Sequence, residues 1–180
     1  MQLNYFGAIS VIMSVIPGMR ERGDGHILNI SSIGAQTYPP RFAAYVASKA
    51  ALDAFSRCLA PEIAADGVAL TEIHMPLVRT PMIAPTGLYK NFPTISPDEA
   101  ADMVVQAIIS RPHEVSTRLG KFGQITQAVA PGFSQLLMSA AYQMLPDSAP
   151  KDGEKREKKD DEPVSAEAYA LGQLMRGIHL

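Results

Sequence analysis

The stretch from Asn29 to Leu52 reads N-I-S-S-I-G-A-Q-T-Y-P-P-R-F-A-A-Y-V-A-S-K-A-A-L. It overlaps the mostly apolar run His26–Ile30, which is typical of a strand inside a parallel sheet that is covered on both faces. Pro39 and Pro40 then interrupt the chain, and an alanine-rich pattern with helical periodicity runs from Phe42 to about Ala65. The stretch therefore predicts a buried strand, a loop and a long helix, in that order.

Three polar side chains of this stretch suggest a catalytic site. Tyr45 and Lys49 are four residues apart on the predicted helix, so they share one face. Ser32 follows the strand at its carboxyl end, where open α/β sheets bind ligands. An ammonium at about 4 Å and an effective dielectric of 20 stabilises a phenolate by roughly 4 kcal/mol. Tyr45 is therefore predicted to act as a general acid and base, with Ser32 positioning the reacting oxygen. The alternative is a surface tyrosine, a solvated lysine and a turn serine.

These positions resemble the active-site signature of the short-chain dehydrogenase/reductases. That signature is Tyr-x-x-x-Lys with a serine thirteen residues before the tyrosine, as Ser32 is here. The family's asparagine, 28 residues before the serine, corresponds to Asn4. The resemblance implies a Rossmann-like doubly wound parallel α/β sheet and interconversion of a carbonyl and an alcohol with NADP or NAD. It also implies four catalytic residues: Asn4, Ser32, Tyr45 and Lys49. Tyr45 and Lys49 would also bind the cofactor, and Asn4 would hold a water that links Lys49 to solvent.

A second cofactor-binding segment is implied after the next strand, which is predicted over Val68–Met75. The family usually has Pro-Gly there, followed by a hydrophobic residue and a threonine that contact the nicotinamide amide and the phosphates. This chain has Pro-Leu-Val-Arg-Thr, without the glycine and with a spacing one residue shorter. The candidates are Pro76, Val78 and Thr80, and the alternative is an ordinary exit from a strand into a loop. No metal site is predicted.

The resemblance covers residues 1–110 and only the second, C-terminal half of the family pattern. The family begins with a strand, a Gly-rich turn and three further strands that bind the adenine half of the cofactor. None of the thirteen glycines forms Gly-x-x-x-Gly-x-Gly. The run Gly18-x-x-x-x-Gly23-x-Gly25 follows a predicted helix and precedes a strand, so it is predicted to be a connection rather than a phosphate loop.

We therefore expect the N-terminal half to be missing through truncation, an upstream start or decay to a relic. The 180 residues alone are expected to be inactive, to bind neither NADH nor NADPH, and to associate through an exposed sheet edge. The alternative function is that of a catalytically inactive remnant acting only as an interaction module.

Four regions are predicted along the chain. Residues 1–110 form a partial Rossmann-like core, 111–150 an apolar helical extension, 151–163 a charged linker, and 164–180 a C-terminal amphipathic helix. Within the core, a proline-punctuated loop after Thr80 is a candidate lid, and Ser96-Pro97-Asp98-Glu99 predicts a helix start. That helix is expected to bury one apolar stripe, formed by Ala101, Val104, Val105 and Ile108.

The substrate prediction rests on two sequence runs. M-P-L-V-R-T-P-M-I-A-P-T and P-T-I-S-P-D-E-A-A resemble fatty acyl-CoA and fatty-aldehyde reductases, which implies a long-chain acyl or aldehyde substrate. Residues 122–146 carry no charge, and this stretch could pack against the sheet or a partner, cover a long-chain substrate, or form a peripheral membrane contact.

Composition excludes several classes. A net charge of −2 without a basic stripe argues against nucleic acid as a partner. Cys58 is the single cysteine, so no intramolecular disulfide forms, and it is expected to be a small buried residue. His74 is expected to be a hydrogen-bonded core histidine. The start lacks a signal-peptide pattern and no uncharged run is apolar enough to span a bilayer, so we expect a cytoplasmic protein. The predicted partners are a small-molecule carbonyl or alcohol substrate of apolar character and further copies of the chain in a homo-oligomer.

Overall fold

The computed structural model describes residues 1–81 and 92–144. The predictions for residues 151–163 and 164–180, and for most of the lid after Thr80, lie outside the described residues. The helices and strands, in chain order, are a π-helical segment Gln2–Gly7, α1 Ala8–Arg22, β1 Gly25–Ser32, α2 Gly34–Thr37, α3 Ala43–Ala64, β2 Val68–Met75, α4 Pro97–Ser110, β3 Glu114–Val115, α5 Arg118–Val129 and α6 Pro131–Met144.

The three described strands form one parallel sheet in the order β1-β2-β3. β1 pairs with β2 along its whole length, from Gly25 opposite Val68 to Ser32 opposite Met75. β3 pairs only with the middle of β2, where Glu72 lies opposite Glu114. The parallel arrangement with intervening helices confirms the predicted Rossmann-like α/β fold.

The main hydrophobic core lies between α1, α3 and the first halves of β1 and β2. Apolar side chains at helical spacing in α1 and α3 meet alternate strand residues there. The cluster comprises Ile12, Ile16, Ile27, Leu52, Leu59, Ile63, Val68 and Leu70. Ile63 is completely buried, and its burial alone stabilises the fold by about 2 kcal/mol relative to an exposed position.

Two glycines allow the connections around the core to meet. Gly23 ends α1 in the left-handed conformation with φ 65°, and Gly67 before β2 has φ 75°. A Cβ atom on Gly67 would collide with the Gly23 carbonyl oxygen. The Gly18–Gly25 run is thus a helix-to-strand connection, as the sequence predicts.

Several local predictions are confirmed to within a residue or two. β2 spans Val68–Met75 and α3 spans Ala43–Ala64. The helix start at Ser96 is a complete capping box, because the Glu99 backbone N–H donates to the Ser96 hydroxyl at 3.1 Å and the Ser96 N–H donates to the Glu99 carboxylate at 2.6 Å.

Other predictions are wrong. Cys58 is exposed, because it precedes Leu59 by one residue and so lies about 100° around the helix from that core position. The stripe expected on α4 is not buried: Val105 and Ile108 are exposed, and Ala107 is the buried residue whose small side chain faces the sheet. β1 is not covered on both faces, since Ile30 is 40% exposed on what is the edge strand of the described sheet.

The first helical segment also departs from expectation. Gln2–Arg22 is long and apolar enough to cross a membrane by length and composition, with a mean hydropathy of 1.2. Core helices of soluble proteins and signal sequences near an N-terminus meet the same test; 11% of this window is buried, and its core residues are Ile12 and Ile16. The Arg20 guanidinium further ties the end of α1 to Asp66 at 2.7 Å.

Replacing Ile63 by alanine should lower the free energy of unfolding by about 2–5 kcal/mol, because a fully buried side chain would leave a cavity in the main core. Urea unfolding followed by circular dichroism measures this loss. Ile109→Ala is the matched control, since Ile109 is 69% exposed and its removal should change stability by less than about 0.5 kcal/mol. Equal losses in both variants would contradict the described core.

Candidate active site

Tyr45 lies in the first turn of α3, at the end of the helix that faces the carboxyl ends of the strands. It is 44% exposed. Among residues 1–81 and 92–144 its side chain forms no hydrogen bond. The phenol is therefore accessible to a ligand, and it makes no hydrogen bond that would stabilise the fold.

Lys49 follows one turn later and is anchored to the sheet. Its Nζ donates a hydrogen bond to the Ile30 carbonyl oxygen at 2.8 Å, which fixes α3 against β1. Partial burial lowers the pKa of Lys49, and the carboxylate of Asp53 opposes that effect. An ammonium has three N–H donors, so two remain for a ligand or a neighbouring oxygen.

Ser32 is the last residue of β1. Its hydroxyl oxygen accepts a hydrogen bond from the backbone N–H of Gly34 at 3.1 Å, at the start of α2. Accepting that bond leaves the hydroxyl proton available to donate to a ligand oxygen.

The connection between Ser32 and Tyr45 contains two strained residues. Tyr38 and Arg41 have φ angles of 51° and 73°, in the left-handed region that side chains other than glycine rarely adopt. The Arg41 guanidinium also stacks 4.8 Å from the centroid of the Tyr142 ring, which brings α6 alongside this connection.

Asn4 belongs to the π-helical segment, a backbone form that is frequent at functional sites. Its Nδ2 donates to the Ser48 hydroxyl oxygen at 3.0 Å, and that hydroxyl donates to the Tyr45 carbonyl oxygen at 2.6 Å. Asn4 and Lys49 line the same groove of about 430 Å³, without a hydrogen bond between them. The amide is therefore fastened to α3 between the tyrosine and the lysine.

The segment after β2 carries the other predicted cofactor contacts. Pro76 is buried, and Val78 and Thr80 are half-buried. Val78 forms an isolated parallel bridge with Ile95, closed by backbone hydrogen bonds at 2.9 Å on both sides of it. This bridge joins the two ends of the loop that the sequence identifies as a lid.

The structure thus brings Asn4, Ser32, Tyr45 and Lys49 to the carboxyl end of β1 and the first turns of α3. No hydrogen bond links Tyr45 to Ser32 or to Lys49 among the described residues. Pro76, Val78 and Thr80 follow the neighbouring strand at the same end of the sheet. The roles assigned to these seven residues stay predictions.

Sequence reasoning missed the residues behind the site. Ser48 is 2% exposed and joins Asn4 to the Tyr45 backbone. Asp53 is 7% exposed and lies 3.1 Å from Nε2 of the completely buried His74. The spacing Tyr45–Lys49–Asp53 could have indicated Asp53, because each step is one helical turn.

Comparison with known proteins identifies the class of this fold and site. The short chain dehydrogenase family matches residues 1–89. A fatty acyl-CoA reductase of Acinetobacter baylyi is 52% identical over 179 residues, which are 99% of this chain and 59% of that protein. An uncharacterized oxidoreductase of Mycobacterium tuberculosis is 45% identical and covers 99% of this chain and 52% of its own. The chain spans about half the length of the curated relatives it matches.

Solved structures give the same fold. A short chain dehydrogenase from Burkholderia cenocepacia, crystallised with NADP, superposes with a TM-score of 0.66 at 24% identity, over 77% of this chain and 56% of that one. A 3-oxoacyl-[acyl-carrier protein] reductase from Brucella melitensis has a TM-score of 0.55 and 27% identity, over 62% of this chain and 47% of that one. The comparisons confirm the predicted resemblance to the short-chain dehydrogenase family, whose model matches residues 1–89 of this chain.

A double-mutant cycle should detect the link between Asn4 and α3. Asn4→Ala and Ser48→Ala remove the two partners of one hydrogen bond, so their effects on the free energy of unfolding should be non-additive by about 0.5–1.5 kcal/mol. Ser10→Ala is the control partner, because its hydroxyl bonds only to the Phe6 carbonyl four residues earlier and its effect should add to that of Ser48→Ala within about 0.5 kcal/mol. Full additivity of the Asn4 and Ser48 changes would argue against the link.

Proposed function

We propose that this chain carries the catalytic part of an NADP- or NAD-dependent reductase that interconverts a carbonyl and an alcohol on a long-chain acyl or aldehyde substrate. The observation that carries the proposal is one turn of α3 that leaves Tyr45 exposed while it anchors Lys49 to the strand ending in Ser32. The relatives named fatty acyl-CoA reductase support the substrate class, at 52% identity in Acinetobacter and 39% in Mycobacterium tuberculosis.

The described residues fit the nicotinamide end of such a cofactor. Lys49 has two N–H donors beyond the one bonded to Ile30, which suits the two hydroxyls of a ribose. Pro76, Val78 and Thr80 are placed at the neighbouring strand end, where backbone groups and the threonine hydroxyl can hold an amide and a phosphate. The described residues contain no strand followed by a Gly-rich turn and a long helix, so they supply no such cradle for the pyrophosphate.

The mechanism follows from the donors at the site. Bound NADPH or NADH would supply the hydride to the carbonyl carbon. The Ser32 hydroxyl donates a hydrogen bond to the carbonyl oxygen and holds it in place. The Tyr45 hydroxyl gives its proton to that oxygen as negative charge develops, and the Lys49 ammonium stabilises the phenolate that remains. Asn4 orients this end of α3 through Ser48 and lines the groove through which Lys49 exchanges protons with solvent.

A long apolar substrate is supported by the helices beside the site. α6 contacts the connection before Tyr45 through the Arg41–Tyr142 pair. α5 and α6 expose a run of large apolar side chains: Phe122, Ile125, Val129, Phe133 and Leu136. We assign this surface to the acyl chain or to a peripheral membrane contact from which such a substrate arrives.

The apolar outer side of α1, with Val11, Met13 and Val15 exposed, supports a homo-oligomer. We place the protein in the cytoplasm. The alternative of an inactive remnant is not favoured, because the residues of the signature are all present in a chain that is 52% identical to a reductase along almost its whole length.

The catalytic roles can be tested in a chimera in which this chain replaces the aligned region of the Acinetobacter reductase, whose own activity is the positive control. Tyr45→Phe should abolish carbonyl reduction while cofactor still binds, because the ring remains and the proton donor is lost. Ser32→Ala should lower kcat by about 10²–10⁴-fold, and Lys49→Ala should weaken both turnover and cofactor affinity. Tyr38→Phe is the matched control and should leave turnover intact. Reduction at the original rate by Tyr45→Phe would remove the assignment.

The substrate class predicts a dependence on chain length. In the same chimera, kcat/KM for aldehydes should rise by about 0.8 kcal/mol of transition-state stabilisation per buried methylene until the apolar site is full. Phe133→Ser and Leu136→Ser should flatten the series if α6 contacts the chain, while Ile109→Ser on the distant helix α4 should not. A series that is flat in the unsubstituted chimera would leave a carbonyl reductase without preference for long chains.

A further inference from the structure

A layer of polar side chains lies between α3 and the second halves of β1 and β2, where an apolar core would be the simpler solution. Three pairs cross it. The Asn29 amide donates to the Ser56 hydroxyl at 2.6 Å, the Arg57 guanidinium lies 3.3 Å from the Glu72 carboxylate, and His74 lies 3.1 Å from Asp53. Burying so many polar groups costs free energy unless each has a partner, so the layer calls for an explanation other than stability.

His74 is the centre of this layer. It is completely buried, with Nε2 at 3.1 Å from the Asp53 carboxylate and Nδ1 at 3.4 Å from the Glu114 carboxylate. The second distance is short enough for an ion pair, but its alignment does not make a hydrogen bond. An ionised carboxylate only accepts hydrogen bonds, so the bond with Asp53 has the His74 Nε2–H as its donor.

Charged side chains from several elements surround His74. Three carboxylates face this region, those of Asp53 from α3, Glu72 from β2 and Glu114 from β3. Arg57 from α3 pairs with Glu72, and Lys121 from α5 pairs with Glu114 at 2.7 Å. Among the described residues, Asp53 has no arginine or lysine within ion-pair distance and is paired with His74.

Four atoms of the layer are buried and have no hydrogen-bond partner among the described residues. They are Ser31 Oγ, Asp53 Oδ1, Glu72 Oε1 and His74 Nδ1. Ser31 lies opposite His74 in the sheet register, so atoms without a hydrogen-bond partner lie on both β1 and β2. Buried polar atoms without a hydrogen-bond partner are rare in folded proteins, so these four require an explanation.

Asp53 connects this layer to the proposed catalytic lysine. It lies one turn after Lys49 on α3, and its two oxygens are used differently: Oδ2 is held by His74, and Oδ1 has no partner. Its negative charge raises the pKa of Lys49 against the larger effect of burial, and it also raises the pKa of Glu72, whose shift is due first to burial.

We propose that Asp53, held in place by His74, is a positioning residue that favours the charged form of the half-buried Lys49, which lies one turn before it on α3. Burial disfavours the ammonium, and a neutral amine could neither stabilise a phenolate nor donate three hydrogen bonds. The contact with His74 satisfies one carboxylate oxygen of the buried Asp53. This inference rests on the role proposed above for Lys49.

The test is the protonation of Lys49 itself, which requires neither cofactor nor turnover. Lysine side chains labelled with ¹³C at Cε are titrated by NMR in the full 180-residue chain, with the Lys49 signal assigned by its loss in Lys49→Arg. Asp53→Asn should shift the titration midpoint of Lys49 downward. Asp102→Asn, an exposed acid on α4, is the matched control and should leave Lys49 at its original midpoint.

A second pair of variants keeps the test decisive if Asp53→Asn does not fold. Asp53→Ala combined with His74→Leu removes both members of the buried pair, a replacement that is often close to neutral for stability. It should lower the Lys49 midpoint as Asp53→Asn does. In a His74→Gln background the effect of Asp53→Asn should shrink, because the aspartate is no longer held.

An unchanged Lys49 midpoint in a folded Asp53 variant would overturn the proposal. Equal effects of Asp53→Asn with and without His74 would overturn the part assigned to the histidine. Neither result bears on whether the chimera reduces aldehydes, so a failure of the proposed function and a failure of this inference are distinguishable.

Discussion

The hydrogen bond from the Lys49 ammonium to the Ile30 carbonyl oxygen, 2.8 Å long, is the contact on which the site depends. It ties the helix that carries Tyr45 to the strand that ends in Ser32, two residues after Ile30. The bond uses a backbone carbonyl, so it holds the charged group without requiring a particular side chain on β1. A lysine that served only as a charge could point to solvent; here its side chain reaches from the helix to the sheet, and the ammonium is fixed at the Ile30 carbonyl oxygen.

Much of this arrangement is predictable because its determinants are local. The strand Val68–Met75 is bounded by Asp66-Gly67 and Pro76, and the helix at Pro97 is started by a capping box of adjacent residues. Tyr45 and Lys49 share a face by helical geometry alone. Ser32 comes to the same end of the sheet because a parallel strand must deliver its carboxyl end to the start of the following helix.

The features that sequence reasoning missed depend on contacts between distant residues. Asp53 and His74 meet only because α3 packs on β2 in one register, and Glu114 reaches His74 only because β3 pairs beside β2. Exposure is equally non-local. Cys58, Val105 and Ile30 are apolar residues at positions whose spacing suggests burial, yet each is exposed. The spacing of apolar residues shows which side chains share a face of a helix or strand, but burial depends on which other elements pack against that face.

The two ends of α3 have different roles: the last turns pack apolar side chains in the core, and the first turns carry the candidate site residues. The helix runs antiparallel to the strands, so its last turns, with Leu59 and Ile63, pack on Ile27, Val68 and Leu70 near the strand starts. Its middle turns contact the polar residues Asn29, Glu72 and His74 through Ser56, Arg57 and Asp53, and its first turns carry Tyr45 and Lys49 to the strand ends. Apolar packing at one end can then hold the helix rigidly while the other end carries buried charge that contributes little net stability. A site that must keep an ammonium partly out of water needs that support, because a helix held only by its polar end would move to solvate the charge.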